Sequence, residues 1–146
     1  MEEYCYVMVK PGFANNSKLV EDVINELTNL GLELVICQRI KYDYQSAQQH
    51  YIAKAQKSFY NELVNYITSD YSLGIVLKGE DAITLARQKI EELRKSLKDK
   101  YNLETDLTKN ILHCTAKTNV KGQLVDIDSR REIELFSKLC KNIIKG

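Results

Sequence analysis

The sequence predicts an α+β fold, with a single antiparallel four-stranded sheet covered by helices. Three observations predict it. Short β-rich apolar segments alternate with helical stretches in the order strand, helix, strand, helices, strand, helix, strand, helix. The chain has 146 residues, which suits one domain with a substantial core. No linker, repeat or low-complexity segment divides it, so residues 1–146 read as a single domain.

Each element has a local reason. "YCYVMV" at 4–9 is short and β-rich, and Pro11 stops it. Ser17 then precedes Leu19, Val20, Val23, Ile24, Leu27 and Leu30 at helical spacing, and Gly31 suits the end of that helix. "LELVICQRI" at 32–40 is a second strand. Two shorter helices follow between Tyr44 and Thr68, the second with Phe59, Leu63, Tyr66 and Ile67 on one face. "YSLGIVL" at 71–77 is a third strand, after which Gly79 is expected to turn the chain. Glu80 and Asp81 suit the positive end of the next helix, which buries Ala82, Leu85, Ala86, Ile90, Leu93 and Leu97. "NILHC" at 110–114 is a fourth strand. Ser129 and Glu132 have S-x-x-E capping-box spacing and are expected to open a helix with Ile133, Phe136, Cys140 and Ile143 inward. Two β-α-β units making one antiparallel sheet is the ferredoxin-like plan. That plan serves many functions, so function must come from particular side chains.

Composition narrows the classes. Hydrophobic residues make up 44% and charged residues 28%, with a net charge of +1. There is no basic excess to neutralise many phosphates, which argues against a nucleic acid or an anionic membrane as the main partner. The longest apolar runs, such as "LVIC" at 34–37, are far too short to span a bilayer. "MEEYCYVM" is acidic and unlike a signal peptide, so a cytoplasmic protein is expected. Cys5, Cys37, Cys114 and Cys140 are scattered without metal-ligand or redox spacing, and read as reduced thiols, mostly in the core.

A few residues invite chemistry, each with a plainer alternative. Lys10 ends a strand beside a rigid turn, where it can hold an anion or simply be solvated. Arg87 can grip a phosphate through two parallel hydrogen bonds, or pair with Glu91 four residues on. His113 can be a general base, a metal ligand, a nucleophile or a packed core residue. Glu132 can orient a histidine, or serve only in the capping box. Tyr51 and Phe59 can face a planar ligand, or pack in the core.

Taken in order, these signals form a pattern. "VMVKPGFA", "QHYIAKAQKSFYNELVNYITS", "GIVLKGEDAITLAR", "NILHCT" and "SRREIELF" follow one another along the chain. Together they resemble the nucleoside diphosphate kinase family, whose most specific elements are K-P after the first strand and N-x-x-H before the last helix. The resemblance implies that His113 takes the γ-phosphoryl group of a nucleoside triphosphate through its δ nitrogen and passes it to a nucleoside diphosphate. A neutral imidazole suits this, being nucleophilic at neutral pH. It implies that Glu132 supports the ring through Thr115, and that Lys10 and Tyr51 lie beside the transferring group. Arg87 would hold the distal phosphates, Asn110 the sugar hydroxyl, and Phe59 the base, with Leu63 at its flank. It further implies ATP and other nucleoside tri- and diphosphates as partners, at least a dimer, and Mg²⁺ carried on the nucleotide phosphates without protein metal ligands.

Departures from the family pattern are visible too. The stretch "QKIEELRKSLKDKYNLETDLTK" at 88–109 is shorter than the usual segment and lacks its "TNP" and "IRG" motifs. Arg94 and Lys98 are therefore the candidates for the second phosphate-binding cation, and the hexamer of common members is not implied. H-G-S-D becomes "HCTA" at 113–116, which keeps a hydroxyl at Thr115 and loses a carboxylate at Ala116. An insertion of about eight residues separates His113 from Glu132, a loop that closes at modest entropic cost. These changes leave an alternative: a nucleotide-binding regulatory module of the same fold with weak or no turnover.

Overall fold

The computed structural model describes residues 2–106 and 109–145, with side chains described as far as Lys141. The first strand, β1 (Glu2–Val9), explains the layering. Cys5, Val7 and Val9 face one side, Tyr6 and Met8 face the other, and all five are fully buried. A strand apolar on both faces must lie inside the sheet with helices above and below it. β2 (Glu33–Ile40), β3 (Ser72–Glu80) and β4 (Leu112–Cys114) complete a sheet of order β2-β3-β1-β4, antiparallel throughout. This is the expected ferredoxin-like arrangement.

One face carries α1 (Ser17–Thr28) and α4 (Ala82–Tyr101), which bury Leu19, Val23, Leu27, Ile83, Ile90 and Leu97 against Val7, Ile75 and Leu77. The other carries α2 (Tyr44–His50), α3 (Tyr60–Ile67) and α5 (Ile127–Lys145), packed around Tyr6, Met8, Ile40 and Val76. The side chain of Ile143 lies outside the described residues, while Ile133 and Cys140 pack partly buried against this second core. Gly31 has φ +81°, the left-handed geometry that closes α1 as expected.

Two expectations need correcting. Gly79 does not turn the chain; it pairs with Glu3 inside β3, and a Cβ there would stand 2.6 Å from Leu32 Cδ2, so the residue serves close packing. Glu80 and Asp81 do lie at the start of α4, with Asp81 at its N-cap position as expected, and Glu3 adds the side-chain cap, its Oε1 accepting from Ile83 N at 2.9 Å. Ser129 and Glu132 form no capping box, because α5 starts earlier, at Ile127. The S-x-x-E spacing also places two side chains on one helix face, and both are used in tertiary contacts. Ser129 Oγ donates to Tyr4 O at 2.7 Å.

The stretch after His113 folds as a hairpin of β5 (Thr118–Val120) and β6 (Gln123–Val125). It is tied to α5 where Thr118 Oγ1 donates to Asp128 Oδ2 at 2.5 Å. Further along α5, Phe136 lies fully buried over Gly74. A Cβ at Gly74 would meet Phe136 Cε1 at 2.3 Å, so only glycine lets this ring reach the sheet. Four residues before Phe136 on the same face comes Glu132, and this docking presents it to β4. No described helix is long and apolar enough to cross a membrane.

Candidate active site

β4 is an edge strand, and the pleat sends its residues to opposite faces. Leu112 and Cys114 enter the core beneath α4, while His113, paired with Met8, faces α2 and α5. There its Nε2 lies 2.5 Å from Glu132 Oε1. Thr115 Oγ1 lies 3.0 Å from the same carboxylate oxygen and 3.1 Å from Tyr6 O, so its one proton is shared between two acceptors. Glu132 therefore touches the imidazole directly, not through Thr115 as the resemblance implies; Thr115 braces the carboxylate.

This arrangement fixes the ring's chemistry. A carboxylate accepts and does not donate, so Nε2 carries the proton and Nδ1 keeps its lone pair. Burial holds His113 well below the usual histidine range, with Lys10, Arg94, Lys54 and Arg87 adding to the effect. The ring is accordingly neutral at pH 7. Burial raises Glu132 above the ordinary carboxylate range, opposed by His50, Thr115 and Arg131.

A cavity of about 430 Å³ opens beside this pair. Its walls collect cations from separate elements: Lys10 at the end of β1, Lys54 and Lys57 after α2, Arg87 and Arg94 on α4, and Arg131 on α5. Lys10 is 5% exposed, and burial together with Arg94 and Lys54 lowers it from 10.5 to about 8. Arg87 Nη1 donates to Cys114 O at 2.9 Å, and Arg94 Nη2 to Leu112 O at 3.0 Å. Seven residues apart on α4, these two guanidinium groups grip the carbonyls on either side of His113. Arg87 is thus occupied by the strand edge, and Glu91 pairs with Arg94 at 2.8 Å. Lys98 is exposed and does not line the cavity, whereas Arg94 does.

The remaining predicted residues also converge. Tyr51, Phe59, Leu63 and Asn110 line the cavity. Leu63 is buried, Phe59 is half-buried against the second core, and Asn110 Oδ1 accepts from Ile111 N at 2.8 Å. Thr115 is buried behind the wall. Among the described residues, five carry buried side-chain polar atoms without a partner, and four of these (His50, Tyr51, Arg94 and Arg131) line this one cavity. Buried polar groups are normally paired, so the unpaired atoms of Tyr51, Arg94 and Arg131 suit a polar, anionic ligand.

Sequence reasoning overlooked His50, Asp128 and Arg131. His50 ends α2 and packs edge to face on His113, with ring centroids 4.6 Å apart. Arg131 Nη1 donates to Asp128 Oδ1 at 2.6 Å and its Nη2 to His50 O at 3.3 Å, bracing the rim. A histidine one turn after Ala47 on the buried face of α2 was the available signal for His50.

Comparison with known proteins agrees with this geometry. The family model described as nucleoside diphosphate kinase matches residues 3–136. The nucleoside diphosphate kinase of Methanocaldococcus jannaschii is 30% identical over 142 residues, covering 94% of this chain and 95% of its own. That of Bacillus licheniformis is 32% identical over 142 residues, covering 93% and 88%. Among solved structures, the nucleoside diphosphate kinase of Aquifex aeolicus superimposes with a TM-score of 0.73 at 23% identity, covering 93% of this chain and 95% of that one. The enzyme from Halobacterium salinarum, solved in complex with CDP, gives 0.67 at 26%, covering 93% and 88%. By the family match along nearly its whole length, this chain belongs to the nucleoside diphosphate kinase family.

Proposed function

We propose that this protein is a phosphotransferase that moves the γ-phosphoryl group of a nucleoside triphosphate to a nucleoside diphosphate through a phosphohistidine at His113. The observation that carries the reading is His113 itself, neutral, clamped at Nε2 by Glu132, and set in a wall of cations. The Nδ1 lone pair attacks the γ-phosphorus, the bond from that phosphorus to the β–γ bridging oxygen breaks, and the nucleoside diphosphate leaves with the electron pair. A second nucleoside diphosphate then attacks the phosphorus through a terminal β-phosphate oxygen, and the P–N bond breaks. Glu132 steadies the ring as positive charge develops on it, as a buried carboxylate does for a catalytic imidazole.

Charge stabilisation does most of the remaining work in phosphoryl transfer. Lys10 and Tyr51 serve the transferring group, Arg87 and Arg94 the distal phosphates. Asn110 serves the sugar, and Phe59, flanked by Leu63, offers a stacking face for any base. Mg²⁺ would be held by nucleotide oxygens. The cavity's carboxylates, Asp128 and Glu132, are engaged by Thr118 and Arg131 and by His113 and Thr115, so neither is set to draw Mg²⁺ away from the nucleotide oxygens. When bound, the ion neutralises phosphate charge. A single domain, a cytoplasmic location and at least a dimer complete the reading. The edge strand β2 leaves Leu34 and Val35 exposed at 38% and 41%, which suits pairing with another copy.

The test uses Mg²⁺ and γ-labelled ATP. Acid-labile, base-stable label should appear on the protein, pass to GTP when GDP is added, and be lost in His113→Gln. Nucleotide binding without labelling would favour the regulatory-module alternative. Label retained in His113→Gln would assign the nucleophile elsewhere.

A further inference from the structure

Next to His113 lies a side chain that phosphoryl transfer leaves unused. His50 is 2% exposed, and neither of its ring nitrogens has a hydrogen-bond partner. A buried imidazole with both nitrogens unpaired is a costly arrangement that calls for a ligand. His50, His113 and Glu132 come from α2, β4 and α5, and a ligating atom of each lies within 4.8 Å of the other two. Two imidazole nitrogens and a carboxylate oxygen converging on one point form the donor set of a three-ligand zinc site with a fourth position open.

We propose that His50, His113 and Glu132 bind Zn²⁺, and that the bound metal blocks phosphorylation of His113. The regulatory consequence rests on His113 being the nucleophile; the metal site itself does not. Nearby cations select the kind of metal. Lys10, Arg87 and Arg94 oppose any dication here, and Mg²⁺ or Ca²⁺, which prefer oxygen shells, gain too little from two imidazoles to overcome them. Zn²⁺ binds imidazole strongly. Because Glu132 Oε1 faces His113 Nε2, a metal bridging the pair sits on Nε2. The ring proton then has to leave Nε2. In a neutral ring it moves to Nδ1, which loses the lone pair needed for attack. Zinc thus silences the nucleophile without filling the nucleotide cavity.

The experiment uses Co²⁺ as a spectroscopic stand-in, added alone to the full unphosphorylated chain. One equivalent should give the visible absorption of a low-coordinate nitrogen- and oxygen-ligated ion, and Zn²⁺ should displace it. Zn²⁺ bound before Mg²⁺–ATP is added should suppress labelling of the wild-type protein. His50→Gln should weaken Co²⁺ binding at least tenfold, and the fraction of its labelling that Zn²⁺ inhibits should fall well below that of the wild type, whatever its own labelling rate. A thiolate-to-cobalt charge-transfer band, or bands that survive the His50→Gln change, would overturn the site. If His50→Gln does not fold, His113→Gln decides: the bands should be lost there, and bands that persist overturn the site. Labelling without any cobalt bands refutes the metal site alone. Bands that depend on His50 in a protein that takes no label uphold the site and refute the kinase reading.

Discussion

Glu132 Oε1 stands 2.5 Å from His113 Nε2, joining the edge strand β4 to helix α5 across the sheet face. The contact decides which nitrogen is free. It also sets a fully committed carboxylate in a buried place, so charge and stability pull apart at this residue. Burial raises the folded-state affinity of Glu132 for a proton. A raised carboxylate binds more protons folded than unfolded, so this group's contribution to stability falls as pH rises through the window between the two values. Glu132→Gln should therefore be at least as stable as the wild type at pH 7. Its kcat should fall on the order of tenfold to a hundredfold, the usual cost of losing a histidine's orienting partner. Thermal unfolding beside steady-state kinetics checks both.

Lys10 links activity to alkaline pH. Its pKa is lowered from 10.5 to about 8, chiefly by burial. Log kcat/KM should fall as pH rises above about 8, as the ammonium facing the phosphoryl group discharges. His113 lies well below the usual histidine range, so no acid limb from it should appear near pH 6.5. In Lys10→Arg the alkaline limb should vanish, at a lower overall rate. Stability has the opposite sign. The unfolded chain holds this proton more tightly, so stability rises with pH between about 8 and 10.5. Lys10→Met should gain up to about 3 kcal/mol at pH 7 while losing activity, as denaturant titration would report.

Arg94 and Lys98 separate cleanly. Arg94 lines the cavity and holds the strand edge at Leu112, while Lys98 is exposed outside it. Arg94→Lys should lower kcat/KM by roughly a hundredfold, the scale for losing an oriented donor in such a site. Lys98→Ala should change it by less than about twofold, as expected for a surface residue. Equal effects in a kinetic comparison would contradict the assignment.

Phe59 tests the base platform. It is half-buried, so Phe59→Ala forfeits only part of a core aromatic's stabilisation. Lost stacking should cost about 1–3 kcal/mol of nucleotide binding, for purines and pyrimidines alike. Calorimetric titration with several nucleoside diphosphates measures it. Unfolding of the variant in place of weakened binding would make Phe59 a packing residue.

Gly74 ties the fold to the site. An alanine Cβ would collide with the ring of Phe136 at 2.3 Å, forcing α5 outward and Glu132 with it. Overpacking of this kind costs about 1–3 kcal/mol. Gly74→Ala should lower Tm and kcat together, although it touches no substrate.

The sequence made some of this legible for physical reasons. The two-sided apolar pattern of β1 and the stripes of α1 and α4 announce themselves, because burial acts on every residue of those faces. Local signals with two meanings were less readable. S-x-x-E is both a capping box and one face of a helix, and only the packing of α5 shows that Ser129 and Glu132 serve the second. Gly79 has glycine's turn chemistry, yet it sits inside β3 with Leu32 packed close over it. The β5–β6 hairpin did carry a signal. Lys121 and Gly122, at φ 51° and 85°, form the two-residue left-handed turn such hairpins favour. His50 left little trace, since nothing in its neighbours along the chain reveals that three elements converge on it.

The central claim is that Glu132 holds the proton on Nε2 and so makes Nδ1 of His113 the nucleophile. It is tested by phosphorylating the protein with Mg²⁺–ATP, hydrolysing it in base, and separating the two phosphohistidine isomers. The account predicts the Nδ1 isomer, recovered from His113 and absent from His113→Gln. Recovery of the Nε2 isomer, with the Glu132 contact intact in the resting protein, would contradict it.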